Sequence, residues 1–219
     1  TEGDSAKTLA VAGLSVVGRD HYGVYPIRGK FKNVRDASVK QLMENKEFNE
    51  LKKILGLQQE KEYTSLDELR YGRLMVMTDA DNDGSHIKGL LLNMIETFWP
   101  SLIDLGFVVS LVTPIIRATK GAAVESFYTD AAYRQWYDVD GGRPGWKIKY
   151  YKGLGTSTSA EAREYFKNLT QLTVQFEDDN QRHRSILLAF DKKKADARKT
   201  WLLENSEINR RRTNFVNYG

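Results

Sequence analysis

The chain has 219 residues, is 41% hydrophobic, contains no cysteine and carries a formal net charge of +4. This size supports one large domain or two small ones with real cores, and the missing cysteines exclude a disulfide framework and a thiolate zinc site. No apolar run approaches the ~20 residues of a membrane-spanning helix, and the first residues lack the basic and apolar regions of a secretion signal, so neither a membrane nor a secreted protein is expected.

In chain order, Thr1 to Lys7 reads as a strand-to-helix turn whose strand is cut away. Asp4 or Ser5 suits an N-cap, and a helix is expected from Ala6 to about Leu14, with Glu2 and Gly3 in the turn. Val24, Tyr25 and Ile27 suggest a strand, followed by Gly29 beside Lys30. Ser38-x-x-Gln41 has the form of a capping box. It opens a helix through Leu42, Phe48, Leu51, Ile54 and Leu55, which Gly56 ends. A short helix and loops are expected up to Leu69.

The stretch Arg73 to Lys88 organises the rest. Leu74 to Met77 is a short continuous apolar run, suited to a strand buried on both faces. Asp79, Asp81 and Asp83 follow at alternate positions, and Gly84 is expected to turn the chain. Ile87, Leu90, Leu91, Met94, Ile95, Phe98 and Leu102 then recur at helical spacing, closing near Trp99-Pro100. Phe107 to Ile116 reads as a further core strand, with Pro114 near its end.

Beyond Arg117 the texture changes. A strand is expected over Val124 to Tyr128, a helix over Asp130 to Tyr137, and a turn over Asp140 to Gly145. Lys147 to Tyr151 alternates as a strand. Lys152 to Thr156 is a glycine turn, and Thr158-x-x-Glu161 caps a helix carrying Tyr165, Phe166 and Leu169. Ile186 to Phe190 reads as a strand and Asp196 to Leu203 as a helix, before a polar, basic tail from Asn205. The fold class is α/β: a Rossmann-like core with a parallel sheet flanked by helices over residues 1–118, and an α+β extension over 119–219.

The acids sit where a buried strand ends and a helix begins, the place where open α/β sheets bind ligands. Three close carboxylates repel one another, and a partner must relieve them or one holds a proton. Oxygen-only ligands favour a hard divalent cation, above all Mg²⁺. Glu2 would join them if both turns lie at one sheet edge. Asp79-x-Asp81-x-Asp83-Gly84 also matches half of an EF-hand loop. That loop requires a bidentate Glu at its twelfth position, here Leu90, and a helix where Leu74 to Met77 reads as strand, so the EF-hand is rejected.

Basic residues cluster at Arg28, Lys30, Lys32 and Arg35, at Lys192, Lys193, Lys194, Arg198 and Lys199, and at Arg210 to Arg212. An acidic metal site flanked by basic segments fits a polyphosphate gripped by its backbone.

Five ordered stretches resemble the TOPRIM part of type IIA DNA topoisomerases. They are Glu2-Gly-Asp-Ser-Ala6, Pro26-Ile-Arg-Gly-Lys-Phe-Lys-Asn-Val34, Thr78-Asp-Ala-Asp-Asn-Asp-Gly-Ser-His-Ile-Lys88, Tyr151-Lys-Gly-Leu-Gly-Thr-Ser-Thr158 and Phe190 to Leu202. Lys7, Thr156 and Asn82 make the chain similar to the eukaryotic-type enzyme or its viral relatives rather than to bacterial gyrase. The resemblance implies a tyrosine that attacks a DNA phosphodiester, a transient double-strand break, passage of a second duplex and resealing. It implies Glu2 as general acid/base and metal ligand, and Asp79 and Asp81 as Mg²⁺ ligands, with Mn²⁺ or Ca²⁺ as substitutes and Asp83 in a lesser role. Lys30, Asn33, Arg198 and Lys199 match DNA-contacting positions. His86 and Lys88, on the first turn after the acids, are further candidates.

The resemblance implies that the nucleophilic tyrosine belongs to a winged-helix domain that normally follows this region, and no such domain is recognised in the sequence. The expectation is therefore that the chain is an excerpt or a split subunit, completed in cis or in trans by a winged-helix domain that bears the tyrosine. The full-length enzyme would be a homodimer acting on double-stranded DNA and using ATP in a separate domain. It would be nuclear if eukaryotic, and in the host cell or virion if viral. Two rivals are a free-standing TOPRIM nuclease, which would use metal-activated water, and a non-catalytic DNA-binding module.

Overall fold

A computed structural model describes residues 1–139, 143–176 and 181–214, with side chains as far as Asn205. Helix α1 spans Gly3–Val17 and begins earlier than its sequence suggests. Its N-cap is Glu2 rather than Asp4 or Ser5, because Gly3 adopts a φ of 71° and lets the helix start as the chain leaves the sheet. Asp4 thus falls inside the first turn, where the helix dipole favours an acid.

Thr1 and Glu2 lie between Ile27 and Met77. Glu2 N donates to Met77 O at 3.1 Å, Gly3 N to Ile27 O at 3.0 Å and Ile27 N to Thr1 O at 2.9 Å. The strand expected over Val24 to Ile27 is reduced to one parallel bridge, Glu2 to Ile27. Two residues are too short a partner for a ladder.

The capping box at Ser38 forms as expected, but its helix is split. Asn45 leaves helical geometry, and its side chain accepts the Phe48 N–H at 2.8 Å. It therefore ends α2 (Val39–Glu44) and starts α3 (Lys46–Leu55). Gly56 closes α3 in the left-handed region, and a 3₁₀ turn covers Leu66–Glu68.

Strand β1 (Leu74–Val76) leads through the acids into α4 (Asn82–Phe98). Gly84 does not turn the chain. It lies inside the first turn of α4, where a Cβ would sit 2.1 Å from the Asp79 carbonyl oxygen. Leu102 belongs to a separate helix, α5 (Ser101–Asp104), after Trp99 caps α4.

The run from Phe107 to Ile116 divides around Pro114, which has no N–H for a ladder. Its first part is β2 (Val108–Leu111), parallel to β1, with Leu74 opposite Val108 and Val76 opposite Ser110. Its end opens β3 (Ile116–Lys120), which pairs antiparallel with β4 (Ala123–Phe127) in a second sheet. Helix α6 (Asp130–Tyr137) and strand β5 (Lys147–Tyr150) follow, giving the order β4-β3-β5. Asp140 to Gly142 of the expected turn lie outside the described residues.

A 3₁₀ turn at Leu154–Thr156 precedes α7 (Ser159–Lys167), whose Thr158–Glu161 capping box is present. Leu169 starts α8 (Leu169–Leu172), and β6 (Thr173–Gln175) returns antiparallel to β2, so the first sheet runs β1-β2-β6. Ile186 to Phe190 is not a strand but the end of helix α9 (Arg182–Phe190). A five-residue apolar run carries no decisive period. Here Arg182 and His183 bind Glu96 of α4, and the helix lies along it. Helix α10 (Ala195–Asn214) extends well past Leu203 through the polar tail.

Alternation along β1 explains the layers. Leu74 and Val76 face a core with Phe48, Leu51, Met94, Ile95, Trp99, Leu102 and Phe107. Met75 and Met77 face the other side, with Leu9, Leu14, Leu154 and Phe166. There α1 and α7 press so closely that a Cβ on Gly13 would sit 2.1 Å from the Phe166 ring. Helices thus cover both faces of the first sheet. The second sheet has a smaller core of Ile116, Ala118, Phe127 and Tyr133. No helix among the described residues is long and apolar enough to cross a membrane.

Candidate functional site

The larger cavity, about 820 Å³, is mainly apolar and lies behind β1 between Leu51, Leu55, Val109 and Phe166. The chemistry lies instead in a cleft of about 300 Å³, lined by Glu2, Ser5, Ala6, Asp79, Lys152, Gly153, Gly155 and Thr156. Two strand ends and one glycine turn meet there. Thr1 and Glu2 hydrogen-bond beside Met77, so Glu2 emerges next to the exit of β1. The Asp79 N–H donates to Glu2 Oε2 at 3.3 Å.

Asp79 is held from the opposite side by the glycine turn. Its Oδ1 accepts the Leu154 N–H at 2.7 Å. Gly153 permits this approach, since a Cβ there would lie 2.3 Å from Asp79 Oδ2. The requirement is space and not dihedral freedom, because Gly153 is extended at φ −176°. Lys152 to Thr156 were legible as a glycine turn, but the Leu154–Asp79 bond spans 75 positions and no local pattern announces it.

Asp81 caps α4, with Oδ1 accepting the Gly84 N–H at 2.8 Å. Among the described residues, its other oxygen accepts no such bond. Asp83 lies in the first turn of α4 and pairs with Lys30 at 3.2 Å, both side chains being about two-thirds exposed. The Glu2 pKa is raised, first by burial and then by the charges of Asp79, Asp81 and Asp83, against the lowering effect of the Asp79 N–H. Accumulated negative charge is what a bound cation relieves.

Among the described residues, no three His, Cys, Asp or Glu side chains are already arranged around one ion position. Glu2 and Asp79 meet across the cleft, with Asp81 beside them. That donor set fits a hard divalent ion held by one or two carboxylates, the remaining positions going to water and phosphate oxygens.

The candidate nucleic-acid contacts divide into those at or near the surface and those bound into the packing. Lys30 is exposed beside Asp83. His86 is exposed and stacks on Phe190, with ring centroids 6.1 Å apart. Lys88 is half-buried, and desolvation lowers its pKa. Lys199 is exposed and lies 3.4 Å from Asp196.

Asn33, in contrast, points inward. Its Nδ2 donates to Phe190 O at 2.8 Å, and its Oδ1 accepts from Asn93 at 2.9 Å and from Arg35 N at 3.2 Å. Arg198 donates to the carbonyls of Leu188 and Ala189 at the end of α9. Both side chains serve the packing of α9. Asp36 adds to it by accepting the Lys192 N–H at 3.0 Å, which brings the two basic segments together. The side chains of Arg210 to Arg212 lie outside the described residues.

Residues 1–111 match the Toprim domain family, and residues 111–218 match the C-terminal associated domain of TOPRIM. The chain is 57% identical over 206 residues to DNA topoisomerase 2 of Pisum sativum, covering 92% of this chain and 14% of that protein. It is 53% identical over 220 residues to DNA topoisomerase 2-alpha of Rattus norvegicus, covering 97% of this chain and 14% of the relative. It also matches the crystal structure of the Plasmodium falciparum topoisomerase II DNA-binding, cleavage and re-ligation domain. That match has a TM-score of 0.86 and 52% identity, over 92% of this chain and 28% of that one. The chain thus spans about one-seventh of the length of the curated relatives it matches.

Proposed function

This chain belongs to the Toprim family, and on that footing we propose that it is the metal-holding part of a eukaryotic-type DNA topoisomerase II, acting in DNA cleavage and religation. The observation that supports this most is the meeting of Glu2 and Asp79 at the exit of β1, with the Asp79 N–H on Glu2 Oε2 and the Leu154 N–H on Asp79 Oδ1.

Toprim domains of this enzyme class are metal-dependent, and we assign the ion as Mg²⁺, with Mn²⁺ or Ca²⁺ as substitutes. Glu2, Asp79 and one oxygen of Asp81 would hold it, with Asp83 one step removed. Such an ion supplies positive charge at the phosphate and at the departing oxygen. Glu2 gives a proton to the 3′-oxygen as the P–O3′ bond breaks and takes it back when the 3′-hydroxyl attacks in religation. The bond that forms is to a tyrosine on a winged-helix domain outside this sequence.

Lys30, His86, Lys88 and Lys199 position the duplex by its phosphates and do not read its sequence. Asn33 and Arg198 support that surface from within. The working assembly is a homodimer on double-stranded DNA that uses ATP in a further domain, in the nucleus for a eukaryotic enzyme and in the host cell or virion for a viral one.

Titration of the chain with Mn²⁺, followed by water-proton relaxation, tests the reading. One site is expected, weakened at least about tenfold by Glu2→Gln or by Asp79→Asn, with duplex binding preserved. Equal affinity in all three proteins would overturn it.

A further inference from the structure

The loop that touches Asp79 is fastened at both ends by one carboxylate. Tyr151 directly follows β5, the strand that precedes the loop, and its hydroxyl donates to Glu161 Oε1. Lys149, two residues earlier, reaches both Glu161 oxygens at 2.9 and 2.8 Å. At the far end, Thr158 N–H and Oγ1 donate to Glu161 Oε2 at 2.7 and 3.0 Å. Between these anchors run Lys152 and Gly153, which line the cleft, and Leu154, whose N–H donates to Asp79.

Inside the loop, Thr156 N and Oγ1 both donate to Gly153 O, and Ser157 N donates to Leu154 O. These bonds shape the turn but do not fix it to the rest of the molecule. The loop's other ties include the Leu154 side chain in the core, the Tyr151 N–H on Ile115 O at 2.9 Å and the Ser157 hydroxyl against the Tyr165 hydroxyl at 3.2 Å.

We infer that Glu161 is a positioning residue for the metal site: by joining Lys149 and Tyr151 to Thr158 it closes the Tyr151–Thr158 loop and sets the Leu154 N–H against Asp79. Its role in the reaction rests on the metal reading above, whereas its hold on the loop does not. A capping glutamate ordinarily bonds its own N-cap residue and little else. Here the same carboxylate is 13% exposed, lies 3.9 Å from Arg117, and takes three further bonds from the incoming strand. Burial by itself would raise its pKa, but Lys149, Thr158 and Tyr151 outweigh this and bring it down to about 2. It is therefore ionised in the folded chain at neutral pH.

The test is hydrogen exchange at the Leu154 amide, with Mn²⁺ affinity measured in parallel. Glu161→Ala is expected to speed Leu154 exchange about tenfold or more and to weaken Mn²⁺ binding several-fold. Glu161→Gln, which keeps an acceptor for Thr158, should recover part of both. The double variant Lys149→Met/Tyr151→Phe leaves the capping box intact and cuts only the incoming arm. It should reproduce the faster exchange even if Glu161→Ala fails to fold. Unchanged Leu154 protection in the double variant overturns the positioning role. If the wild-type chain binds no cation while Leu154 exchange still responds, the metal reading fails and the hold on the loop stands.

Discussion

The backbone N–H of Asp79 donates to Glu2 Oε2 at 3.3 Å, although the two residues lie 77 positions apart. This bond joins the start of α1 to the exit of β1 and places two carboxylates at the mouth of one cleft. In the absence of a cation the pair is a source of repulsion. Asp79→Asn should leave the cation-free protein equally or slightly more stable, because a like charge is lost while Asn Oδ1 can still accept from Leu154. A thermal melt without divalent ions checks this, and a fall in Tm of several degrees would contradict it.

The raised pKa of Glu2 gives a pH signature. The folded chain holds this proton more tightly than the unfolded chain, so the unfolded state binds fewer protons between the ordinary and the raised value. Stability then falls as pH rises through that window. The loss should disappear in Glu2→Gln and shrink when Mg²⁺ is added. Tm measured against pH, with and without Mg²⁺, reads both effects.

Glu161 has the opposite sign. Its pKa is depressed to about 2, from an ordinary value of 4.5. Its contribution is therefore complete above about pH 4.5 and is lost as pH falls toward 2. Glu161→Ala should cost about 2–3 kcal/mol at neutral pH, by removing a cap and leaving Lys149 and Tyr151 without their acceptor. Urea unfolding at pH 7 and pH 3 checks it: the gap between variant and wild type should narrow in acid.

Gly153→Ala places a methyl group 2.3 Å from Asp79 Oδ2. Either the loop retreats or the carboxylate turns, and the Leu154–Asp79 bond is lost in both cases. The expected outcome is a stability loss of about 1–3 kcal/mol and at least tenfold weaker Mn²⁺ binding. Gly155→Ala is the control, since its Cβ would meet Ser5 Cβ at an ordinary 3.7 Å.

Lys30 and Asn33 should separate in a salt titration of duplex binding. Losing one phosphate contact lowers the slope of log K against log[salt] by about 0.9. Lys30→Ala should show that drop. Asn33→Ala should keep the slope and instead lower Tm, since Asn33 ties Phe190 O to the buried Asn93.

Much of this site was legible in order along the chain. Leu74 to Met77, the three aspartates and the amphipathic run to Phe98 announced a strand, a ligand-bearing turn and a helix. Ser38 and Thr158 announced their capping boxes. What was not legible was set by partners distant in sequence. The stretch from Val24 to Ile27 has strand composition, but among the described residues it pairs only with Thr1 and Glu2. Ile186 to Phe190 is apolar enough for a strand, and its contacts with α4 make it a helix. Asn33 reads as a polar residue in a basic loop, and only the fold shows that Asn93 and Phe190 occupy it. The Leu154–Asp79 bond is of the same kind, a long-range contact between two motifs that were each visible separately.

The most direct test of the central claim is cleavage of supercoiled plasmid by this chain with Mg²⁺, quenched with detergent and assayed for protein-linked DNA. A separately supplied winged-helix fragment bearing the tyrosine would be present or absent. The account predicts cleavage only with the fragment, DNA attached to the fragment, and loss of the product in Asp79→Asn. Free nicks made by the chain alone, with no protein attached, would contradict it and make water the nucleophile.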